Sequence, residues 1–240
     1  MGLFGRKKKE ETPFVTVVIA AAGASRRMGE NKQLIPLGGV PALGRTLLAF
    51  QQSPYIREII LAAAEEHMAE YAALGRQLSI TKLTKVIRGG ASRLESVYRA
   101  ACEVSPDCEY LAVHDGARPL VSQQVIEDVC KAVFLYSAAG AGVPVTDTIK
   151  RIDREDRALE TVDRDSLRAM QTPQMAEKPL LLAALQSALE AGAETTDELA
   201  ALERMGVRPV IVPGDRENIK LTTPTDILVA NAILAGREQA

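Results

Sequence analysis

Phe14-Val15-Thr16-Val17-Val18-Ile19-Ala20-Ala21 decides the fold. This apolar, partly β-branched run reads as a strand buried on both faces. It passes directly into Ala22-Gly23-Ala24-Ser25-Arg26-Arg27-Met28-Gly29, small residues followed by cations. Strands buried on both sides belong to parallel sheets, and ligands of open parallel sheets bind beyond the carboxyl ends of the strands. The loop 20–29 is therefore the first candidate site.

Working outward, strands and helices alternate. Pro41 to Gln52 predicts a helix with Leu43, Leu47 and Phe50 on one side, Glu58 to Ala63 a second buried strand, Glu65 to Gln77 a helix, and Thr84 to Ile87 a short strand. Ser92 opens a helix with Leu94, Val97 and Ala101 inward; Ser92 is the expected N-cap, and Glu95 completes a capping box. Tyr110 to Val113 reads as a strand ending at His114-Asp115-Gly116-Ala117-Arg118-Pro119, Ser122 begins a helix to about Tyr136, and Gly140 to Val143 is strand-like. This alternation predicts an α/β fold with a mostly parallel sheet and helices on both faces.

The pattern breaks at Val145. Residues 146–164 are polar, with Thr148, Ile149 and Ile152, then Leu159, Thr161 and Val162, flanking the turn Asp153-Arg154-Glu155-Asp156-Arg157. This predicts a protruding β-hairpin arm over about 145–166. An isolated hairpin is marginal in water, so the arm is expected to lean on a second copy of the chain; the alternative is an ordinary surface excursion. Helical patterns resume at Pro179 to Glu190 and Asp197 to Met205, followed by a strand at Pro209 to Val212 and a helix at Pro224 to Leu234. Residues 14–240 are read as a single domain.

Composition narrows the function. The chain has 240 residues, 47% of them hydrophobic, enough for a large core without staples. With 29 basic and 31 acidic residues and a net charge of -2, it lacks the basic excess of a nucleic-acid binder. Only 4% of residues are aromatic, none of them Trp, which argues against a base-stacking platform. Cys102, Cys108 and Cys130 form no CxxC pair and are expected as reduced thiols of a cytoplasmic protein. No apolar run reaches membrane-spanning length, so no membrane association is expected. Residues 1–13, with Arg6-Lys7-Lys8-Lys9 before Glu10-Glu11, read as a disordered, solvated basic tail. They carry no signal-type apolar stretch, and Arg6 stands where myristoylation after Gly2 would need Ser or Thr.

The loop after the first strand is not a Walker loop, which needs Gly-Lys followed by Ser or Thr. Nor is it a dinucleotide fingerprint, since Ser25 and Met28 stand at the second and third glycine positions. Small residues let its backbone approach phosphate oxygens. Arg26, Arg27 and Lys32 add the cations that stabilise charge gathering on a triphosphate under attack. Asp115, at a second strand end, is placed to hold Mg²⁺ together with substrate phosphates. His114 is expected to hydrogen-bond locally, Arg118 serves either a loop or a ligand, and His67 shows no evident partner in the sequence. Gly89-Gly90-Ala91-Ser92-Arg93-Leu94-Glu95-Ser96 is a third strand-end loop, its glycines allowing close backbone approach and Ser96 supplying a hydroxyl.

These loops, in this order, resemble the 2-C-methyl-D-erythritol 4-phosphate cytidylyltransferase family of the non-mevalonate isoprenoid pathway. The resemblance covers residues 15 to 235. It rests on Ala21-Ala22-Gly23 with Arg26-Arg27-Met28, Lys32-Gln33, Gly89-Gly90 with Arg93 and Ser96, and the 114–119 loop. It continues through Asp147-Thr148, Val162-Asp163-Arg164, Thr172-Pro173-Gln174, Thr196-Asp197-Glu198 and Asn218-Ile219-Lys220. It implies a Rossmann-like fold, a homodimer joined through the arm, and transfer of CMP from CTP to methylerythritol phosphate with release of pyrophosphate. It also implies roles: Arg27 and Lys32 as triphosphate clamps; Ala21, Ala22, Gly23, Gly90 and Ser96 as the cytidine pocket; Asp115 as the Mg²⁺-side residue. Thr148, Arg164, Thr172, Thr196 and Lys220 become acceptor contacts, with the arm's Thr and Arg reaching the neighbouring subunit's site. Many relatives have Gly where this chain has Ser25, a local departure in loop shape.

No general base is needed for such a transfer. A phosphate monoester has a second pKa of about 6, so the acceptor is already a nucleophile at neutral pH. Catalysis reduces to in-line positioning and charge neutralisation, which suits candidates that are mostly Arg, Lys, Thr and backbone amides. The competing readings are a ribitol-5-phosphate cytidylyltransferase, a non-catalytic nucleotide-binding regulator, and an NAD-dependent oxidoreductase.

Overall fold

A computed structural model describes residues 12–23 and 31–239. Ser25, Arg26, Arg27 and Met28 of the first loop and residues 1–11 of the expected tail lie outside the described residues.

The described elements run β1 (Val15–Ala21), β2 (Pro36–Leu37), β3 (Val40–Pro41), α1 (Ala42–Gln52), β4 (Ile56–Ala63), α2 (Met68–Gln77) and β5 (Leu83–Arg88). Then follow α3 (Arg93–Cys102), β6 (Tyr110–Asp115), α4 (Gln123–Tyr136), β7 (Ala138–Pro144), β8 (Ile149–Ile152), β9 (Ala158–Val162) and β10 (Arg168–Glu177). The chain closes with α5 (Lys178–Glu190), α6 (Glu198–Arg204), β11 (Val210–Pro213) and α7 (Pro224–Gln239). Seven strands form one sheet in the order β11-β7-β10-β6-β1-β4-β5. Six share a direction, and β10 runs against both its neighbours.

The two-faced burial expected of β1 is what organises the layers. Val17, Ile19 and Ala21 enter one layer with Leu43, Leu47 and Phe50 of α1, Tyr71 and Leu74 of α2, and Val125 and Val129 of α4. Val18 and Ala20 enter the opposite layer with Val97 of α3, Leu181 and Leu185 of α5, and Leu199 and Leu202 of α6. Val15, Val17, Val18 and Ile19 are fully buried. Each such side chain stabilises the fold by roughly 1.5–3 kcal/mol, so β1 alone anchors both layers. A smaller cluster of Leu37, Leu120, Leu221 and Leu234 docks α7 against the loops that follow β6.

Two features were not foreseen. β10 carries Thr172 as its one β-branched residue and has Pro173 in its interior, so its sequence lacks the usual strand signals. It is nonetheless buried from Gln171 to Ala176, and its ladder with β7 is interrupted between Met170 and Gln174. The second is the β2–β3 hairpin, whose turn Gly38-Gly39 has φ of 51° and 78°, positions that glycine occupies at no steric cost.

The arm takes the form read from the sequence: β8 and β9 pair antiparallel, Ile149 opposite Val162. Its turn is closed by Asp153, whose Oδ1 accepts the N–H groups of Glu155 (3.0 Å) and Arg157 (2.9 Å). Ile152 and Leu159 are 51% and 61% exposed. The hairpin has no substantial packing against any other described element of its own chain.

Candidate active site

The parallel register brings the loops together. Ala20 lies opposite Asp115, Ala21 opposite Ala63, and Ala63 opposite Arg88, so the chain segments after β1, β4, β5 and β6 all leave the sheet at its carboxyl end. Gly89 donates its N–H to Ala63 O (2.8 Å), and a Cβ on Gly89 would lie 2.5 Å from Ala22 Cβ. A Cβ on Gly90 would lie 2.4 Å from the Glu95 side chain. Both glycines are therefore required by close approach.

Ser92 caps α3 as expected, its Oγ accepting Glu95 N–H (3.1 Å). The Glu95 carboxylate accepts from Ala91 N–H (2.7 Å), the residue before the N-cap whose N–H an ordinary capping box would engage. Ser96 is buried; its hydroxyl accepts Gly90 N–H (2.9 Å) and donates to Ser92 O (2.8 Å). It thus holds the glycine loop in shape. Ala21 is buried, Ala22 partly exposed and Gly23 exposed with open space around it.

Asp115 is the electrostatic centre. Arg93 Nε and Nη2 each lie 3.1 Å from Asp115 Oδ1, and Lys220 Nζ lies 2.7 Å from Oδ2. Burial alone would raise this carboxyl, but Arg93 and Lys220 outweigh it and hold Asp115 well below the usual carboxylate range. Arg93 reaches further: its Nη1 lies 2.6 Å from Glu198 Oε1 and its Nη2 3.2 Å from Oε2. Glu198 is 2% exposed, and burial pushes its carboxyl upward against the pull of Arg93.

His114 points into the protein. Arg118 O can only accept, so His114 Nε2 carries the proton it shares there (3.1 Å). His114 Nδ1 is then an acceptor, and Thr172 Oγ1 donates to it (3.0 Å) while itself accepting Asp115 N–H (3.1 Å). Burial lowers the His114 pKa to about 4, so the ring is neutral at physiological pH and its role is structural. The same bonds engage the Thr172 hydroxyl on both sides. Arg118 also serves the loops. Its Nη1 and Nη2 donate to Asn218 O (2.7 Å) and Met170 O (3.5 Å), and its Nε stands 3.7 Å from Asp115 Oδ2, a charge contact without a hydrogen bond. His67, which showed no partner in the sequence, stands 3.4 Å from Glu70 and stacks on Tyr71.

The remaining candidates fall in two places. Lys32 Nζ donates to Leu221 O (3.2 Å), beside Lys220, and Leu221 N–H bonds Ala117 O (2.8 Å), which joins the Lys32 segment to the Asp115 loop. Thr148 and Arg164 are exposed at the base of the arm, where Arg164 Nη1 donates to Thr146 O (2.7 Å). Thr196 is exposed two residues before Glu198. Arg27 lies outside the described residues.

Several supporting residues were assigned no role from the sequence, although Gln174 and Asn218 lie in motifs that carry the resemblance. Asn218 is fully buried and donates to Thr172 O (2.9 Å). Gln171 accepts Asp215 N–H (3.2 Å), and Gln174 Oε1 accepts the N–H groups of Glu198 (3.0 Å) and Leu199 (3.1 Å). Glu198 lies 105 residues from Arg93. The motif Thr196-Asp197-Glu198 marked the segment, but one sequence cannot show that pairing.

Similarity to known proteins points to one family. The family model described as IspD: 2-C-methyl-D-erythritol 4-phosphate cytidylyltransferase matches residues 15–236. A protein of that name from Caldanaerobacter subterraneus subsp. tengcongensis is 43% identical over 92% of this chain and 98% of its own length. One from Bacillus mycoides is 41% identical over 91% and 97%. The crystal structure of 4-diphosphocytidyl-2C-methyl-D-erythritol synthase from Anaerococcus prevotii superposes with a TM-score of 0.84 at 27% identity, covering 93% of this chain and 97% of that one.

Proposed function

The chain belongs to the 2-C-methyl-D-erythritol 4-phosphate cytidylyltransferase family, and we propose that the carboxyl end of the sheet around Asp115 carries out the family's cytidylyl transfer. The enzyme joins CMP from CTP to 2-C-methyl-D-erythritol 4-phosphate, giving 4-diphosphocytidyl-2-C-methyl-D-erythritol and pyrophosphate in non-mevalonate isoprenoid biosynthesis. The observation that carries this reading is the meeting of Lys220, Asp115 and Arg93 between the glycine loop at Gly89-Gly90 and the segment that presents Thr196.

Ala21, Ala22, Gly23, Gly90 and Ser96 form the cytidine side, with backbone groups facing the nucleotide. Arg27 and Lys32 clamp the triphosphate. Thr148, Arg164, Thr172, Thr196 and Lys220 form the acceptor side. Thr172 acts there by position, because its hydroxyl already bonds His114 and Asp115. An oxygen of the acceptor phosphate attacks the α-phosphorus; the new P–O bond forms as the bond to the β-phosphate oxygen breaks, and pyrophosphate leaves with the electron pair. No proton need move, since the attacking phosphate is largely dianionic. The residues align the two substrates and offset their charge.

Mg²⁺ is the expected cofactor. Asp115 offers one ionised carboxylate, whose Oδ2 would pass from Lys220 to the ion, and no cluster of three or more His, Cys, Asp or Glu occurs among the described residues. Substrate phosphates would therefore complete its shell. When bound, the ion neutralises charge on the phosphates.

The exposed Ile152 and Leu159 and the unpacked arm support a homodimer in which Thr148 and Arg164 serve the partner's site. No helix among the described residues is long and apolar enough to cross a membrane; the cytoplasm, where CTP is made, is the proposed location. The test is phosphorus NMR of the enzyme with CTP, Mg²⁺ and methylerythritol phosphate. Paired diphosphate resonances of a CDP-alcohol should appear as the monoester signal disappears; an unchanged monoester signal overturns the reading.

A further inference from the structure

Arg93 belongs to none of the substrate contacts above, yet it bridges two buried carboxylates of the site, Asp115 and Glu198. It is the first residue of α3, and the same helix start holds the nucleotide-side loop through Ser96 to Gly90 (2.9 Å) and the Ser92 cap. One edge of its guanidinium holds Asp115, and the other makes a two-point contact with Glu198. Glu198 opens α6 immediately after the acceptor-side segment Thr196-Asp197. Asp115 in turn holds Lys220 on the same acceptor side.

We propose that Arg93 is a positioning residue that couples the two substrate sides. It fixes Glu198, and with it the Thr196 segment, relative to the helix that carries the nucleotide loop.

The chemistry of the side chain suits this task. A planar guanidinium offers donors on two edges in fixed geometry and bridges two carboxylates, whereas a lysine ammonium supplies the charge without the fork. Glu198 is buried, so its carboxylate has no water to fall back on. The nucleotide loop has local bonds of its own in Gly89 N–H to Ala63 O, Ser96 to Gly90, and the Ser92 cap. Losing the Arg93 fork therefore leaves the cytidine side formed and frees the acceptor side. Binding of CTP and acceptor should then be linked in the wild type and unlinked in the variant.

The proposal rests on the acceptor-side assignment of Thr196. Its test uses the full-length enzyme with Mg²⁺. Calorimetry measures methylerythritol phosphate binding with and without cytidine 5′-(α,β-methylene)triphosphate, which cannot release pyrophosphate. The nucleotide analogue should tighten acceptor binding roughly tenfold in the wild type, within the usual range of site coupling. Arg93→Lys should abolish that effect and, because linkage is reciprocal, weaken each ligand by a similar factor when the other is saturating, while the affinity for the nucleotide analogue alone stays within about twofold. Glu198→Gln should do the same, and the double variant should be little worse than either single one, since all three break one link. A loss of affinity for the nucleotide analogue in the absence of acceptor, a fall in kcat alone, or fully additive losses would overturn the proposal. Wild-type enzyme that binds both ligands without any coupling overturns it with no variant needed. A wild type that binds no methylerythritol phosphate at all overturns the functional reading, and the proposal with it.

Discussion

Lys220 Nζ rests 2.7 Å from Asp115 Oδ2, so a cation assigned to the acceptor and the carboxylate assigned to the metal side hold each other in the absence of substrate. Each side chain should then matter more to turnover than to folding. Asp115→Asn and Lys220→Ala are each expected to lower kcat/KM for pyrophosphate release at least about a hundredfold, the size found when a preorganised charge contact is removed from a transition state. Activity within threefold of wild type in either variant would remove that residue from the mechanism.

His114 makes stability depend on pH in a defined window. The unfolded imidazole titrates near 6.5 and the native one at about 4. Between those values the unfolded chain binds a proton that the native state does not, so stability falls as pH falls from 6.5 to 4. The loss should reach roughly 3 kcal/mol. Denaturant melts of wild type and His114→Gln across that range should show the acid slope reduced in the variant. Identical slopes would mean that His114 is not the group responsible.

Gly89 tests the approach of the two nucleotide loops. A methyl at that position would meet Ala22 Cβ at 2.5 Å and Ser96 Oγ at 2.8 Å; the first cannot rotate away, and the second is held by its bonds to Gly90 N–H and Ser92 O. Gly89→Ala should raise the CTP KM roughly tenfold or more, with a smaller effect on the acceptor KM. An unchanged CTP KM would show that the loop at Gly89-Gly90 is not part of the cytidine pocket.

The dimer is tested by complementation. Arg164→Ala and Lys32→Ala proteins, each inactive alone, are mixed and allowed to exchange subunits. If Arg164 serves the partner's site, random mixing gives half heterodimers with one intact site each, and about a quarter of wild-type activity returns. Activity would stay at the level of the separate variants if Arg164 acts within its own chain. Replacing Ile152 and Leu159 with Asp should shift the protein from dimer to monomer in analytical ultracentrifugation, because it removes the exposed apolar surface of the arm.

The legible part of this molecule was the part written locally. β1 could be read because a strand buried on both faces is a nearly continuous run of apolar and β-branched residues, and the loops at Gly23, Gly89 and Asp115 followed from where the strands end. Ser92 and the arm's turn were readable because caps and turns depend on a few adjacent residues. β10 was missed because its place is set by neighbours far along the chain: Gln171 and Gln174 are buried as polar residues, satisfied by Asp215, Asn218 and Asp197, and no local pattern announces that. The Arg93–Glu198 contact was hidden for the same reason. Cytosine as the chosen base and methylerythritol phosphate as the acceptor rested on resemblance, since glycines, hydroxyls and cations recognise phosphates of many esters alike.

Pyrophosphate release, measured with each of the four nucleoside triphosphates against methylerythritol phosphate and ribitol 5-phosphate, tests the central claim most directly. Rapid release with CTP and methylerythritol phosphate, and little with the other seven pairs, is the predicted result. Release from CTP with ribitol 5-phosphate but not with methylerythritol phosphate would contradict it.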